Sequence, residues 1–530
     1  MAGPCPDVPV PDHHVRAVQG LPQCLYQYLG PDPRRVSHSD SKSCQPPTSG
    51  REESGQVCCI QYTRSRSWRH VVGLTAEIAR FVLENPPIPD SVLERATRHL
   101  VDGVAVMLAG AAAESGRISR EHLRELGGKP QAVVVGSRLR APLQLAAWAN
   151  GTAAHALDYD DTQLATDPRS VYGLLTHPTA PVLPAALAAA EYVGASGAEF
   201  LDAYVVGVEV ACRTADAVDP RHYRDGFHST GTLGTFGACA AAARLVRCDL
   251  DQTLRAFGLA ASMAAGLREN FGTMTKPFHA GRAAENGVLA VLLARRGWTA
   301  ATNILEAKRG FYSAAAGGYD ASKIEGRLGN PYFFESPGIS IKPYPSGSLS
   351  HPAQDVLLEL VREHEVRPED VERIEVGVNS HVPNALIHTR PQTALEAKFS
   401  LQFQMAVGVL DRRAGLAQFT DDRVRDPQVR ALMERVHVYV DPEIEALGYN
   451  EMRMKVAIHL RDGRVLSGRA DMARGHPRKP LSRQEVSEKF LECAALVMPP
   501  ERARRLLDAL WNVRGHSVAD LVPLLEGEAP

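Results

Sequence analysis

From Val71 onward apolar residues recur at i, i+3 and i+4, beginning with VVGLTAEIARFVLE and SVLERATRHLVDGVAVMLAG. This spacing predicts a succession of helices continuing to about residue 330. Their interiors are rich in Ala and Gly, as in AALAAAEYVG, GACAAAARLV and GLAASMAAGL, which predicts helices in close backbone contact. Past Pro337 the period shortens: VERIEVGVNS, VHVYVD and MRMKVAIHLRDGRVLSGRA alternate apolar and polar positions, and Asp462-Gly463 marks a hairpin. Helical patterning returns in SRQEVSEKFLECAALV and PERARRLLDALWNV. The predicted fold class is mainly α with an α+β second domain. A large discontinuous α-helical domain covers 70–336 and 478–526, and a smaller α+β domain over 337–477 is set into it. Residues 1–68 are rich in Pro, Ser, Arg and Cys without a sustained period, and read equally as a disordered extension or as an upstream-extended gene model.

Composition narrows the function classes. A formal charge of −2 over 530 residues gives no bulk attraction to nucleic acid or to a membrane surface. No stretch approaches the roughly 20 apolar residues of a membrane span, and MAGPCPDVPVPDHHVR lacks an apolar signal core. A cytoplasmic protein is expected, with a small molecule or a second copy of itself as partner. Five of the nine cysteines fall within the first 59 residues, and Cys212, Cys239, Cys248 and Cys493 lie in apolar or helical contexts. That distribution matches neither a disulfide framework nor a zinc motif; Cys212 and Cys239 read as core thiols.

Three predicted helices open on a basic or titratable residue: Thr176-His177-Pro178, Phe227-His228-Ser229-Thr230 and Thr275-Lys276-Pro277. A helix start carries unpaired N–H groups and about half a positive charge, so it attracts anions. One such start is the ordinary outcome of capping and of proline at the first turn. Three that converge would form a pocket for a polycarboxylate, with imidazoles for proton transfer and an ammonium as clamp. The helix dipole lowers the pKa of His177 and makes it a usable base near neutrality. The glycines of Gly226–Gly237 recur every third residue, which favours helix contact over a nucleotide loop. His279, on the first turn after Lys276, reads as a structural hydrogen-bonder.

The segment His155-Ala-Leu-Asp158-Tyr-Asp160-Asp161-Thr162 reads as a helix end. Helical spacing then places 155, 158 and 162 on one face, with Asp161 beside them and Asp160 turned away. Asp158 would orient a neighbouring His or Lys, although acidic residues at a helix end are also common caps. An Asp-x-Asp-Asp motif can also protonate an alkene or bind magnesium, as in isoprenoid cyclases. Those need an aromatic-lined cavity, and aromatic residues make up only 6% of this chain. Lys342, in Ile339-Ser-Ile-Lys342-Pro-Tyr344-Pro-Ser-Gly347, falls at the proposed domain junction, where it could reach a cleft; His351 follows. His-x-x-His spacing is absent here, so neither a metal nor a cofactor is required.

HALDYDDT, THPTAPVLPAALAAAE, GFHSTGTLGTFGA, NFGTMTKPFHAGRAAENG and IKPYPSG, in this order and at these separations, resemble the MmgE/PrpD family, which includes 2-methylcitrate dehydratase and cis-aconitate decarboxylase. The resemblance spans about residues 70–520. It implies a helical domain with a smaller α+β lid, a homodimer, and metal-free lyase chemistry on di- or tricarboxylates such as 2-methylcitrate. Carried onto this sequence, it places Asp158, Thr162, His177, His228, Lys276 and Lys342 in the site, with Tyr344 beside Lys342 as a substrate contact. In the expected mechanism Lys276 and Lys342 bind carboxylates, His177 moves a proton at carbon under the guidance of Asp158, and His228 is the partner acid. Dehydration is the first expectation, decarboxylation the second and epimerisation the third; a non-catalytic carboxylate binder is the alternative of another class. Two departures bear on the substrate: the long spacer QLATDPRSVYGLLT between Thr162 and His177, and the added charges Arg268-Glu269.

Overall fold

Ala- and Gly-rich helices pack around a central pair. The structure, a computed structural model, describes residues 72–84, 87–166 and 176–529, all within one unit spanning Ser67–Pro530. The extension read over 1–68, its five cysteines and most of the spacer before His177 lie outside the described residues. The helix Thr275–Ala294 packs on Leu143–His155 and on Ser229–Leu245, which in turn packs on Gly197–Ala217 and Thr179–Val193. The crossings are as close as the small residues predict. A Cβ on Gly151 would stand 2.9 Å from the Cα of Gly281, and one on Gly237 would stand 2.6 Å from the carbonyl oxygen of Gly207. Only glycine permits these approaches.

Two large apolar cores form among the described residues. One runs from Leu74 to Ile341 and resumes from Leu481 to Leu525, so the C-terminal helices Arg483–Ala494 and Pro500–Trp511 pack back on Asp90–Ala112. The other joins residues between Leu349 and Leu460. In it the helices His351–Glu363 and Leu401–Asp411 cover a four-stranded sheet. Its order is Val436–Val440, Val371–Val378, Met454–Leu460, Val465–Ala470, with the first pair parallel and the others antiparallel. The expected hairpin is present: Met454 pairs with Ala470 and His459 with Val465, and Gly463 takes the positive φ of 89° that the turn requires. The fold is therefore mainly α with a smaller α+β part, as the patterning predicted.

Two expectations are corrected. Helices do not continue to about residue 330: beyond Ala294 the described chain is mostly turns, interrupted by the short helix Phe311–Ala316. Glycines at positive φ (Gly297, Gly317, Gly326, Gly329) and the prolines 331 and 337 break any helical run there. The helix ahead of the acidic motif ends at His155, not near Thr162. Asp158 then takes a left-handed φ of 52°, so face-sharing by helical period does not apply to residues 158–162.

Candidate active site

The short strand Thr162–Gln163 pairs antiparallel with Ile339–Ser340 and brings the acidic turn beside the segment that carries Lys342. The base of the long spacer is closed: the Gln163 N–H donates to the Thr176 carbonyl at 2.8 Å, and the Thr176 hydroxyl donates to the Gln163 side chain at 2.7 Å. This returns His177 to the acidic turn whatever path the spacer takes. The three helices start within two residues of the predicted points, at Thr179, Ser229 and Thr275, so His228 precedes the second and Lys276 lies in the first turn of the third.

Asp158 stands between two lysines. Lys276 Nζ donates to its Oδ1 at 2.5 Å, and Lys342 Nζ lies 3.1 Å from the same oxygen while donating to the Asp158 carbonyl at 2.9 Å. All three side chains are buried. Burial alone would raise the Asp158 pKa, but Lys276 and Lys342 together hold it well below the usual carboxylate range. Burial lowers the Lys342 pKa against the pull of Asp158. A third lysine, Lys398, donates to the carbonyls of Leu157 at 2.9 Å and Pro345 at 3.2 Å, and burial brings its pKa down to about 7. Two lysines thus share one buried carboxylate, with the Asp160 carboxylate also facing Lys342 and Lys276.

His177 is held by the backbone of the acidic turn, with the Asp160 carboxylate beside it. Its Nδ1 donates to the Asp161 carbonyl at 2.8 Å and lies 3.5 Å from Asp160 Oδ2 and 3.4 Å from Thr162 Oγ1. A carbonyl can only accept, so the proton sits on Nδ1 and the lone pair on Nε2. Burial lowers the His177 pKa to about 3, partly opposed by Asp160. The side chain retains 15% of its surface, whereas those of His155 and Asp160 retain none. The Asp161 carboxylate accepts from the Thr179 N–H at 3.2 Å and the Thr179 hydroxyl at 2.5 Å, so it caps the His177 helix from outside. It also accepts from His99 Nδ1 at 2.8 Å.

Asp160 is therefore not turned away; it is buried and accepts from His155 Nδ1 at 2.8 Å. The His155 ring lies 4.7 Å from that of His177 and 5.6 Å, stacked, from that of His228. His228 Nδ1 is 3.1 Å from His279 Nδ1, the structural hydrogen bond expected of His279. Burial lowers the pKa of His155 and His228 well below the usual imidazole value. One possible ligand atom from each of His155, Asp160 and His177 lies within 4.8 Å of the others, a closeness that their hydrogen bonds account for.

Of the predicted residues, Asp158, Lys276 and Lys342 form one set of short contacts and Thr162 and His177 another, both on the acidic turn, and His228 joins the second by ring contact through His155. Tyr344 is buried beside Lys342 in sequence, but its hydroxyl donates to Asp355 at 2.6 Å and accepts from Arg474 at 3.3 Å. Arg268 stacks on Tyr223 at 3.8 Å and donates to its carbonyl. Sequence reasoning missed Lys398, which has no motif around it, and misassigned Asp160 by extending a helix through it.

This geometry belongs to a helical fold with a lysine- and histidine-lined interior, and two family models cover most of the chain. The MmgE/PrpD N-terminal domain matches residues 76–323 and the MmgE/PrpD C-terminal domain matches 344–513. The chain belongs to the MmgE/PrpD family. It is similar to a Homo sapiens protein named cis-aconitate decarboxylase, 28% identical over 84% of this chain and 92% of the relative. An Aspergillus terreus protein of the same name is 26% identical over 86% of this chain and 95% of the relative. Aspergillus oryzae contributes a protein named cis-aconitate decarboxylase-like protein oryM, 26% identical over 86% and 98%. Among the described residues no helix is long and apolar enough to cross a membrane.

Proposed function

We propose that this protein is a lyase acting on a di- or tricarboxylate through proton transfer at a carbon next to a carboxylate. The observation that carries the reading is the buried Asp158 carboxylate between Lys276 and Lys342, on the same acidic turn whose Asp161 carbonyl fixes the His177 lone pair on Nε2. A substrate carboxylate takes a share of the two ammonium groups, and the same charges stabilise the enediolate that forms when the neighbouring carbon loses a proton or carbon dioxide. His177 Nε2 removes or returns the proton at carbon, held in orientation by the Asp161 carbonyl and by Asp160. His228 is the partner acid: its Nδ1 shares a hydrogen bond with His279 Nδ1, and in the tautomer in which His279 donates, a neutral His228 carries its proton on Nε2. Thr162 positions His177, and Tyr344 braces the Lys342 segment from behind.

Decarboxylation of a cis-aconitate-like tricarboxylate and dehydration of a hydroxy-tricarboxylate such as 2-methylcitrate pass through related carbanions. The names of the relatives favour the first branch, and the His228 acid serves the second. The protein acts without a metal in this reading, as a homodimer in the cytoplasm. Proton NMR in D₂O with cis-aconitate, 2-methylcitrate and citrate, with and without chelator, tests it. New olefinic product signals or deuterium uptake beside a carboxylate is the expected result. A folded protein that is stabilised by these ligands and turns none of them over would instead be a carboxylate binder.

A further inference from the structure

His155 has no part in the mechanism above, yet it lies at its centre. Two buried histidines of this protein can be compared. His222 uses both ring nitrogens, Nδ1 on the Ala315 carbonyl at 3.0 Å and Nε2 on the Thr232 hydroxyl at 2.8 Å, as a core imidazole should. His155 is equally enclosed, and its Nδ1 is satisfied by Asp160, but its Nε2 has no hydrogen-bond partner among the described residues. Leaving a buried polar nitrogen unpaired costs stability unless something else pairs it. The ring lies against both His177 and His228, so this nitrogen belongs to the same interior as the two proposed proton carriers.

We infer that His155 is a third imidazole of the site: the Asp160 carboxylate holds its Nδ1 proton, and its bare Nε2 accepts a hydrogen bond from the bound molecule. Because a lone pair can only accept, the ligand group it takes is a donor, a hydroxyl or a protonated carboxyl. Asp160 acts through it as a positioning residue; it also lies 3.5 Å from His177 Nδ1, whose proton the Asp161 carbonyl holds, so both imidazoles share one tautomer. The identity of the bound molecule rests on the lyase reading; the existence of the acceptor does not.

The test compares His155→Asn, His155→Gln and, as control, His222→Asn. Asparagine keeps an amide N–H near the position of Nδ1, toward Asp160, and removes Nε2; glutamine restores a polar atom near the position of Nε2. The expected result is that H155N melts at or above the wild-type temperature while H222N melts lower by ~5 °C. On whichever carboxylate the wild type consumes, H155N should lose roughly 10- to 100-fold in kcat/KM and H155Q should recover part of it. Activity of H155N within about threefold of wild type would overturn the inference. If the wild type consumes no carboxylate, the lyase reading fails, and melting alone decides: H155N at or above wild type supports a ligand acceptor, and H155N as unstable as H222N makes the residue structural. Should H155N not fold, ¹⁵N-histidine NMR of the wild type decides. A bare, unbonded Nε2 resonance at His155 supports the proposal, and a hydrogen-bonded one refutes it.

Discussion

His177, His228 and Lys276 reach the site from the first residues of three helices, whereas Asp158, Asp160 and Asp161 reach it from the irregular turn that follows His155. On the helical side each position follows from local rules: a small-residue run starts a helix, and the side chains at that boundary face whatever the helix start faces. On the turn side no period applies. Asp158 sits at φ 52° because two lysines and its own backbone contacts hold it there, and Asp160 points inward because His155 meets it. Regular elements place side chains by geometry; the turn places them by charge.

That contrast can be broken most forcefully at Asp158. Asp158→Ala leaves Lys276 and Lys342 buried without their shared partner, and should cost about 3–5 kcal/mol of stability in urea melts along with nearly all activity. A variant of wild-type stability would mean that the ion pairs do not hold the turn. On the helical side His177→Asn should behave oppositely. Turnover should fall by roughly 10²- to 10⁴-fold in a steady-state assay while the melting temperature hardly changes, since the side chain is a partly accessible group at a helix boundary. Equal losses of stability in the two variants would erase the distinction.

A smaller effect tests how rigidly the helices present their starts. Gly281→Ala places a Cβ 2.5 Å from the Trp148 carbonyl oxygen and should destabilise by about 1–3 kcal/mol as the crossing opens. An unchanged calorimetric transition would show that the helices yield easily. The smallest effects are pH dependences. The neutral buried imidazoles His155, His177 and His228 have folded pKa values below that of a free imidazole, so the unfolded chain binds more protons as pH falls below about 6.5. Stability should therefore decline on acidification through that range, and less steeply in H177N. Lys398 works at the other end. Its folded pKa is about 7 against 10.5, so the unfolded chain binds more protons between those values and stability from this group rises as pH increases. Lys398→Met should flatten that rise in a series of melts from pH 7 to 10.

Much of this molecule was determined by its sequence alone. The i, i+3, i+4 runs set the helices, including the three whose starts carry His177, His228 and Lys276, the alternation past Pro337 set the sheet, and Asp462-Gly463 set its hairpin. These depend on interactions within a few residues of chain, which any reader of the sequence can evaluate. The tertiary structure alone decided which acid serves which base. Asp158 meets Lys276 from 118 residues away and Lys342 from 184, and Lys398 crosses 241 residues to reach the Leu157 carbonyl. The helix that should have carried Asp160 past the site stops at His155, since the long-range charges on the turn outweigh the weak helical preference of Asp-Tyr-Asp-Asp.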